Sequence, residues 1–350
     1  MRTITTSRLF LVSAIALATL AGCPKGKLPG GGSVPGGGNV PGGGMVPGGG
    51  GGESGMVDPN SCGNYAVSDA GKKLKFFLEA TQALETQTKE TLEVVKQSCI
   101  MIGNEIGMTE ADYRGETKDI CAQVYQRVNE NLKVGLKAKA ALKVKITPAV
   151  CKIDVKATAE VAAQCEGKAS ADVGASCSGT CRGTCEGECA GKAGTGGNKG
   201  QCEGTCKGTC KGDCEGHADV KASAQCKAKA SVDASAKMTC TEAKVEISLD
   251  AKMVLDKAKA EATVKGLMAG LPKIFSVKAR LEPLKYAVEA WVVSANELKG
   301  SARTLAMSFK DQAACISGQI AAAANMIGGI QANVSVSVEV SASASGSIGG

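Results

Sequence analysis

Cysteine is the residue whose numbers and spacing point to chemistry in this chain. There are 17 in 350 residues, against one histidine, one tryptophan and ten aromatics in all. Twelve of them fall between 151 and 240, at 151, 165, 177, 181, 185, 189, 202, 206, 210, 214, 226 and 240. Folded about its centre, the series gives the pairs Cys151 with Cys240, Cys165 with Cys226, Cys177 with Cys214, Cys181 with Cys210, Cys185 with Cys206 and Cys189 with Cys202. The residue numbers of each pair have the same sum, 391. A tandem repeat gives translation instead, and translation leaves Cys151 and Cys165 unmatched. A constant sum is the register rule of an antiparallel hairpin, whose opposed Cα atoms lie within disulfide reach. The chemistry predicted is therefore a ladder of six disulfides.

Rival uses of cysteine fit less well. Zinc sites favour closely spaced pairs such as Cys-x2-Cys, whereas here the repeat is Cys-x3-Cys. Catalytic redox cysteines take a Cys-x-x-Cys or a lone activated thiol. His217, the one histidine, reads as an outer-face residue of the hairpin, which disfavours hydrolytic triads. The stretch 194–200 lacks the Gly-Lys-Ser/Thr of a phosphate loop. No catalytic residue, cofactor or metal ligand is expected, and the chain is read as no enzyme.

The elements that must carry the ladder follow from periodicity. From 151 to 189 small apolar residues alternate with polar ones, and the alternation returns from 202 to 240, a strand signal. The mirror then opposes Ile153 with Met238, Val155 with Ala236, Ala159 with Val232 and Val173 with Ala218. It sets Gly179, Gly183 and Gly187 against Gly212, Gly208 and Gly204. It also opposes like charges at Asp172–Asp219 and Glu188–Glu203, which counts against that register. Nearer the base the same sum pairs Leu142, Val144 and Ile146 with Leu249, Ile247 and Val245. Ala332, Val334, Val336, Val338 and Val340 alternate with serine and similar residues, predicting a further strand.

All nine aromatics beyond the first 22 residues lie outside 126–274, on segments with helical spacing. Leu74, Phe77, Leu78, Leu84, Leu92, Val95, Cys99, Ile102 and Ile106 mark one helix, begun at Ser68 or Asp69. Cys121, Tyr125, Val128, Leu132 and Leu136 mark a second. A short helix at about 253–271, a break at Pro272 and a long helix at about 284–327 follow. Cys99 and Cys121 flank the first turn and are paired, leaving Cys62 with Cys315. The expected fold is α+β: a helical bundle bearing a long, disulfide-laddered two-stranded antiparallel β-ribbon.

At the N-terminus Arg2 and Arg8 precede the apolar run Leu9–Leu20 and then Leu20-Ala21-Gly22-Cys23. Charge, apolar stretch and small residues before the cut describe a signal peptide. The cysteine at the cut resembles the bacterial lipobox, which implies lipid attachment at Cys23. No later stretch reads as long and apolar enough to span a membrane. Pro29, Pro35, Pro41 and Pro47, each followed by glycines, make a coil-like tether. The organisation read is 1–22 signal peptide, 23–57 tether, 58–138 helical hairpin, 139–252 cysteine ribbon, 253–328 completing helices and 329–350 β-prone tail.

The run Cys177-Ser-Gly-Thr-Cys181-Arg-Gly-Thr-Cys185-Glu-Gly-Glu-Cys189 resembles cysteine-rich (Cys-x-Gly-x-Cys repeat) lipoproteins of myxobacterial-type bacteria. The flanks Gly270-Leu271-Pro272-Lys273 and Phe309-Lys310-Asp311-Gln312 extend the similarity. The resemblance implies lipoprotein and repeat ribbon, and no activity. Net charge is +7 with lysines scattered among acids, so nucleic acid is not an expected partner. The function expected is a lipid-anchored structural, spacer or adhesive protein of the cell envelope, at the outer membrane, self-associating through the ribbon face. An envelope-associated pore-forming or contact-dependent toxin is the alternative, and a metal-thiolate protein the second.

Overall fold

The computed structural model describes residues 57–193 and 199–348. Helices α1 (Asp69–Glu105) and α2 (Thr117–Gly135) come first, and Ser68 caps α1 by accepting from the Gly71 amide. Strands β1 (Leu142–Thr147) and β2 (Cys151–Asp154) lead to helix α3 (Val155–Glu166). Four strands follow: β3 (Ala175–Cys177), β4 (Thr180–Ala193), β5 (Lys199–Glu215) and β6 (Ala218–Val220). Helix α4 (Ala224–Lys237), β7 (Thr239–Cys240) and β8 (Lys244–Leu249) retrace the path to the body. The chain closes with α5 (Lys257–Met307), α6 (Ala313–Asn325) and α7 (Ile327–Ile348). The class is α+β, dominated by a helical bundle with small antiparallel sheets.

The bundle core lies where α1 and α5 cross. A Cβ at Gly270 would sit 2.5 Å from the Ser98 carbonyl, so glycine permits the approach. Phe77 stacks parallel to Trp291 at 6.3 Å, and the buried indole donates to Thr81 Oγ1 at 2.8 Å. Pro272 and Pro283 both lie inside the continuous α5, which corrects the expected break at Pro272. Interior proline costs about 3 kcal/mol. Burial of Leu267, Leu271, Ile274, Phe275, Leu281 and Leu284 outweighs that penalty. The expected helix at 284–327 is correspondingly divided between α5 and α6.

Two stretches read as strand are helix. Residues 155–166 and 224–237 form α3 and α4, which pack on each other under the Cys165–Cys226 bridge. Alternating alanine satisfies both periods, and alanine is the best helix former. Asp154 caps α3 through the Lys156 and Ala157 amides, and Gly167, left-handed at φ 66°, closes it. The hairpin topology persists because a constant sum reports an antiparallel return, whatever each arm's conformation. The tail 327–348 is likewise helix rather than strand. Ile330, Val334, Ser337, Val340, Ser341 and Ala344 make its buried face, and Ser337, Ser341 and Ser345 bond carbonyls four residues back.

The register is not uniform along the chain. Leu142–Leu249, Val144–Ile247, Ile146–Val245 and Cys151–Cys240 follow the mirror. Beyond α3 and α4 the ladder moves by four: Cys177 faces Ala218, Cys181 faces Cys214, Gly183 faces Gly212 and Gly187 faces Gly208. In this register Arg182 lies opposite Asp213 along the backbone, while its side chain pairs with Glu215 and Asp213 pairs with Lys152. A four-residue repeat tolerates the slide, since glycine still meets glycine. Thr180–Glu186 also pair with 199–205 along their other edge, so the hairpin curls upon itself.

Candidate functional site

Six disulfides are present among the described residues. Cys62–Cys315 and Cys99–Cys121 brace the bundle, with Cα separations of 5.5 and 5.2 Å. Cys151–Cys240 and Cys165–Cys226 join the returning arms at 4.0 and 5.4 Å. Cys177–Cys214 and Cys181–Cys210 lie within the curled hairpin, at 5.6 and 6.1 Å. All four hairpin cysteines are buried. The curl accounts for the pairing: Cys181 faces Cys214 in the ladder but bonds Cys210. The expected bridges Cys185–Cys206 and Cys189–Cys202 involve side chains outside the described residues, and lipid attachment at Cys23 also lies outside them.

The second cluster is one that reading the sequence misses. His217, expected on an outer face, is half-buried and stacks on Tyr286 of α5, ring centroids 3.7 Å apart. Ser178 Oγ lies 2.7 Å from His217 Nδ1. The Tyr286 hydroxyl donates to Asp219 Oδ1 at 2.7 Å, and Lys227 of α4 pairs with the same oxygen at 2.7 Å. Lys227 also stands 5.5 Å above the Tyr286 ring, in cation–π range. These residues come from three elements, β6, α4 and α5, and from the connections β3–β4 and β5–β6, and no spacing in the sequence links His217 to Tyr286.

The electrostatics favour a joint over a reaction centre. Burial lowers the His217 pKa against the opposing pull of Glu282, Asp219 and Glu289, so the ring is held neutral. Burial would raise Asp219, but the hydrogen bonds from Lys227 and Tyr286 prevail and lower it. Burial and donation to Asp219 push the Tyr286 hydroxyl up to about 12. Asp219 therefore stays a carboxylate gripped by two donors, and is not aimed at His217 as the orienting acid of a triad. A cleft of about 420 Å³ opens beside the stack, walled by Lys278, Leu281, Lys285, Glu289 and Val338.

A larger cleft, about 640 Å³, lies between α1, the end of α4 and α5. Val94, Met238 and Val277 give it apolar surface, and Glu90, Lys273 and Arg280 give it charges of both signs. Among the described residues no group of three or more His, Cys, Asp or Glu side chains is placed to hold a metal ion. One segment, Lys310–Gly346, is long and apolar enough to cross a membrane, which corrects the expectation that no later stretch is. Ile316, Ile320, Ile330, Val334 and Val340 within it are buried in the bundle. A scan against family models finds no match, and neither do searches of the curated proteins and of the solved structures.

Proposed function

We propose that this chain is a lipid-anchored protein of the bacterial cell envelope with a structural role, as a spacer or adhesive element, and no catalytic activity. The observation that carries the reading is cysteine usage. All twelve described cysteine side chains are in disulfides, which suits an oxidising compartment outside the cytoplasm. The lipobox-like Leu20-Ala21-Gly22-Cys23 and the Pro/Gly tether supply an anchor and a spacer. The disulfide hairpin, extended through the Cys185–Cys206 and Cys189–Cys202 bridges, is the projecting element, and its small-residue face the surface for self-association. Bridged sulphurs also leave the described cysteines no thiolate for the metal-binding alternative.

The apolar Lys310–Gly346 segment favours a second reading, an envelope-associated pore-forming or toxin-like protein. Only about a fifth of its apolar window, 22%, is buried, so the Cys62–Cys315 tether to the body is what counts against release into a bilayer. Two experiments decide. Metabolic labelling with an alkyne fatty acid is expected to mark the wild-type protein and not Cys23→Ser; label on both removes the anchor. A deletion strain is expected to lose adhesion or envelope integrity while its neighbours' survival is unchanged. Reduced killing of neighbours with intact adhesion reverses the order of the two readings.

A further inference from the structure

Two disulfides of the hairpin are out of step with the backbone that carries them. The ladder sets Cys181 opposite Cys214 and Cys185 opposite Cys210. The disulfides instead join Cys177 to Cys214 and Cys181 to Cys210, four residues away from the ladder partner. Cys214 therefore has two cysteine neighbours. Its bonded partner Cys177 has its Cα at 5.6 Å. Its ladder partner Cys181 occupies a directly opposed position, where Cα atoms lie about 4.5–5.5 Å apart. Both separations fall within the reach of a disulfide. Cys177 ends β3 and Cys181 lies in β4, across the bend at Ser178 and Gly179. All four are sealed from solvent, with relative exposures of 4% for Cys177, 1% for Cys210 and 0% for Cys181 and Cys214.

From this juxtaposition we propose that the hairpin is a thiol–disulfide exchange site, in which a thiolate freed at Cys181 takes over Cys214 and delivers a thiol to Cys177. The reaction starts when the hairpin opens locally and admits a small dithiol, which reduces Cys181–Cys210 and is itself oxidised to its cyclic disulfide. The Cys181 thiolate then attacks Cys214 Sγ. The Cys181–Cys214 bond forms as Cys177–Cys214 breaks, and Cys177 leaves as a thiolate that takes up a proton. The second step changes no oxidation state. It brings the bridge into register with the ladder, so the strands need not slide. Once the hairpin recloses, burial shields the intermediate from outside thiols, while proximity replaces a bimolecular encounter. The free thiol emerges at Cys177, next to Ser178 and the His217 joint.

The test removes the partner of Cys181 alone. Cys210→Ser protein is held at mildly alkaline pH under nitrogen, then acidified to stop exchange, denatured and alkylated. Tandem mass spectrometry locates the label. The expected result is a shift of label from Cys181 to Cys177, with a Cys181–Cys214 bridge. Label confined to Cys181, with Cys177–Cys214 intact, overturns the proposal. The wild-type protein treated with less than one equivalent of dithiothreitol keeps the test independent of that variant's folding. Peptides linked through Cys181–Cys214 are expected among the singly reduced products. Products that contain only the original pairs and reduced forms of them overturn it equally.

Discussion

His217 lies flat against Tyr286, 3.7 Å between ring centroids, and this contact joins the cysteine hairpin to the long helix α5. The imidazole is held neutral there because burial lowers its pKa. The unfolded chain takes up a proton as pH falls through about 6.5, while the folded joint resists it. Stability from the joint is thus fully present above that pH and is lost as pH falls through the lower folded pKa. Protection factors for hydrogen exchange at β6 and the start of α4, corrected for the intrinsic pH dependence of exchange, are expected to fall between pH 7 and 5 in the wild type. His217→Phe keeps an aromatic stack without the proton and is expected to remove that change. Protection that falls equally in both proteins assigns the effect to other groups.

Glu166, the last residue of α3, is a second fastening, reached from α1 and from the start of α4. Its carboxylate accepts from Lys73 Nζ at 2.7 Å on α1 and from the Ser223 amide at 2.5 Å at the start of α4. Burial acts to raise its pKa, and these bonds overcome that and hold it at about 2. Its contribution is present above the ordinary carboxylate range and disappears as pH falls from about 4.5 towards 2. Glu166→Gln is expected to lose about 2 kcal/mol at neutral pH, measured by urea denaturation, and only a small part of that at pH 2. A loss of the same size at both pH values marks packing, not charge, as its cause.

These joints separate what was legible in the sequence from what was not. The mirror of cysteines specified which arms return beside each other, because a disulfide is a proximity statement written in residue numbers. It did not specify conformation. Alternating alanine fits strand and helix alike, and in 155–166 the deciding residues were Asp154 and Gly167 at the ends. Register was also degenerate, since sliding a Cys-x-Gly-x repeat by four restores every cysteine and glycine. In α7 the Ser/Val alternation contained a buried helical face that packing selected. The His217 cluster left no trace, being assembled by tertiary contact from residues as far apart as Ser178 and Tyr286.

Thr81 carries a load disproportionate to its size. It is fully buried, donates to the Phe77 carbonyl at 2.9 Å and accepts from Trp291 Nε1 at 2.8 Å. Thr81→Val preserves shape and leaves the indole N–H unpaired in the core. Such a group costs about 1–3 kcal/mol. Thermal unfolding is expected to shift down accordingly, with tryptophan fluorescence moved by the altered surroundings. Thr81→Ser, which restores the acceptor, is expected to recover part of the loss. Equal stability of the valine and serine variants dissociates the hydroxyl from the effect.

The Cys62–Cys315 bridge closes the widest covalent loop described here, a separation of 253 residues, and it holds the start of α6 against the segment that precedes α1. Bridges over long loops restrict the unfolded chain most, in the chain-entropy account. Replacing both cysteines by serine is expected to cost about 2–5 kcal/mol. The loss should be uneven. Hydrogen exchange is expected to rise through 313–348, where Ile316, Ile320 and Val334 pack on the bundle, and to stay unchanged at β1 and β8. Because Lys310–Gly346 is apolar enough to cross a membrane, the same variant also probes what restrains that segment. If the bridge is the restraint, the variant partitions onto liposomes that the wild type ignores. If packing suffices, both proteins stay in the aqueous phase while only the exchange rates differ.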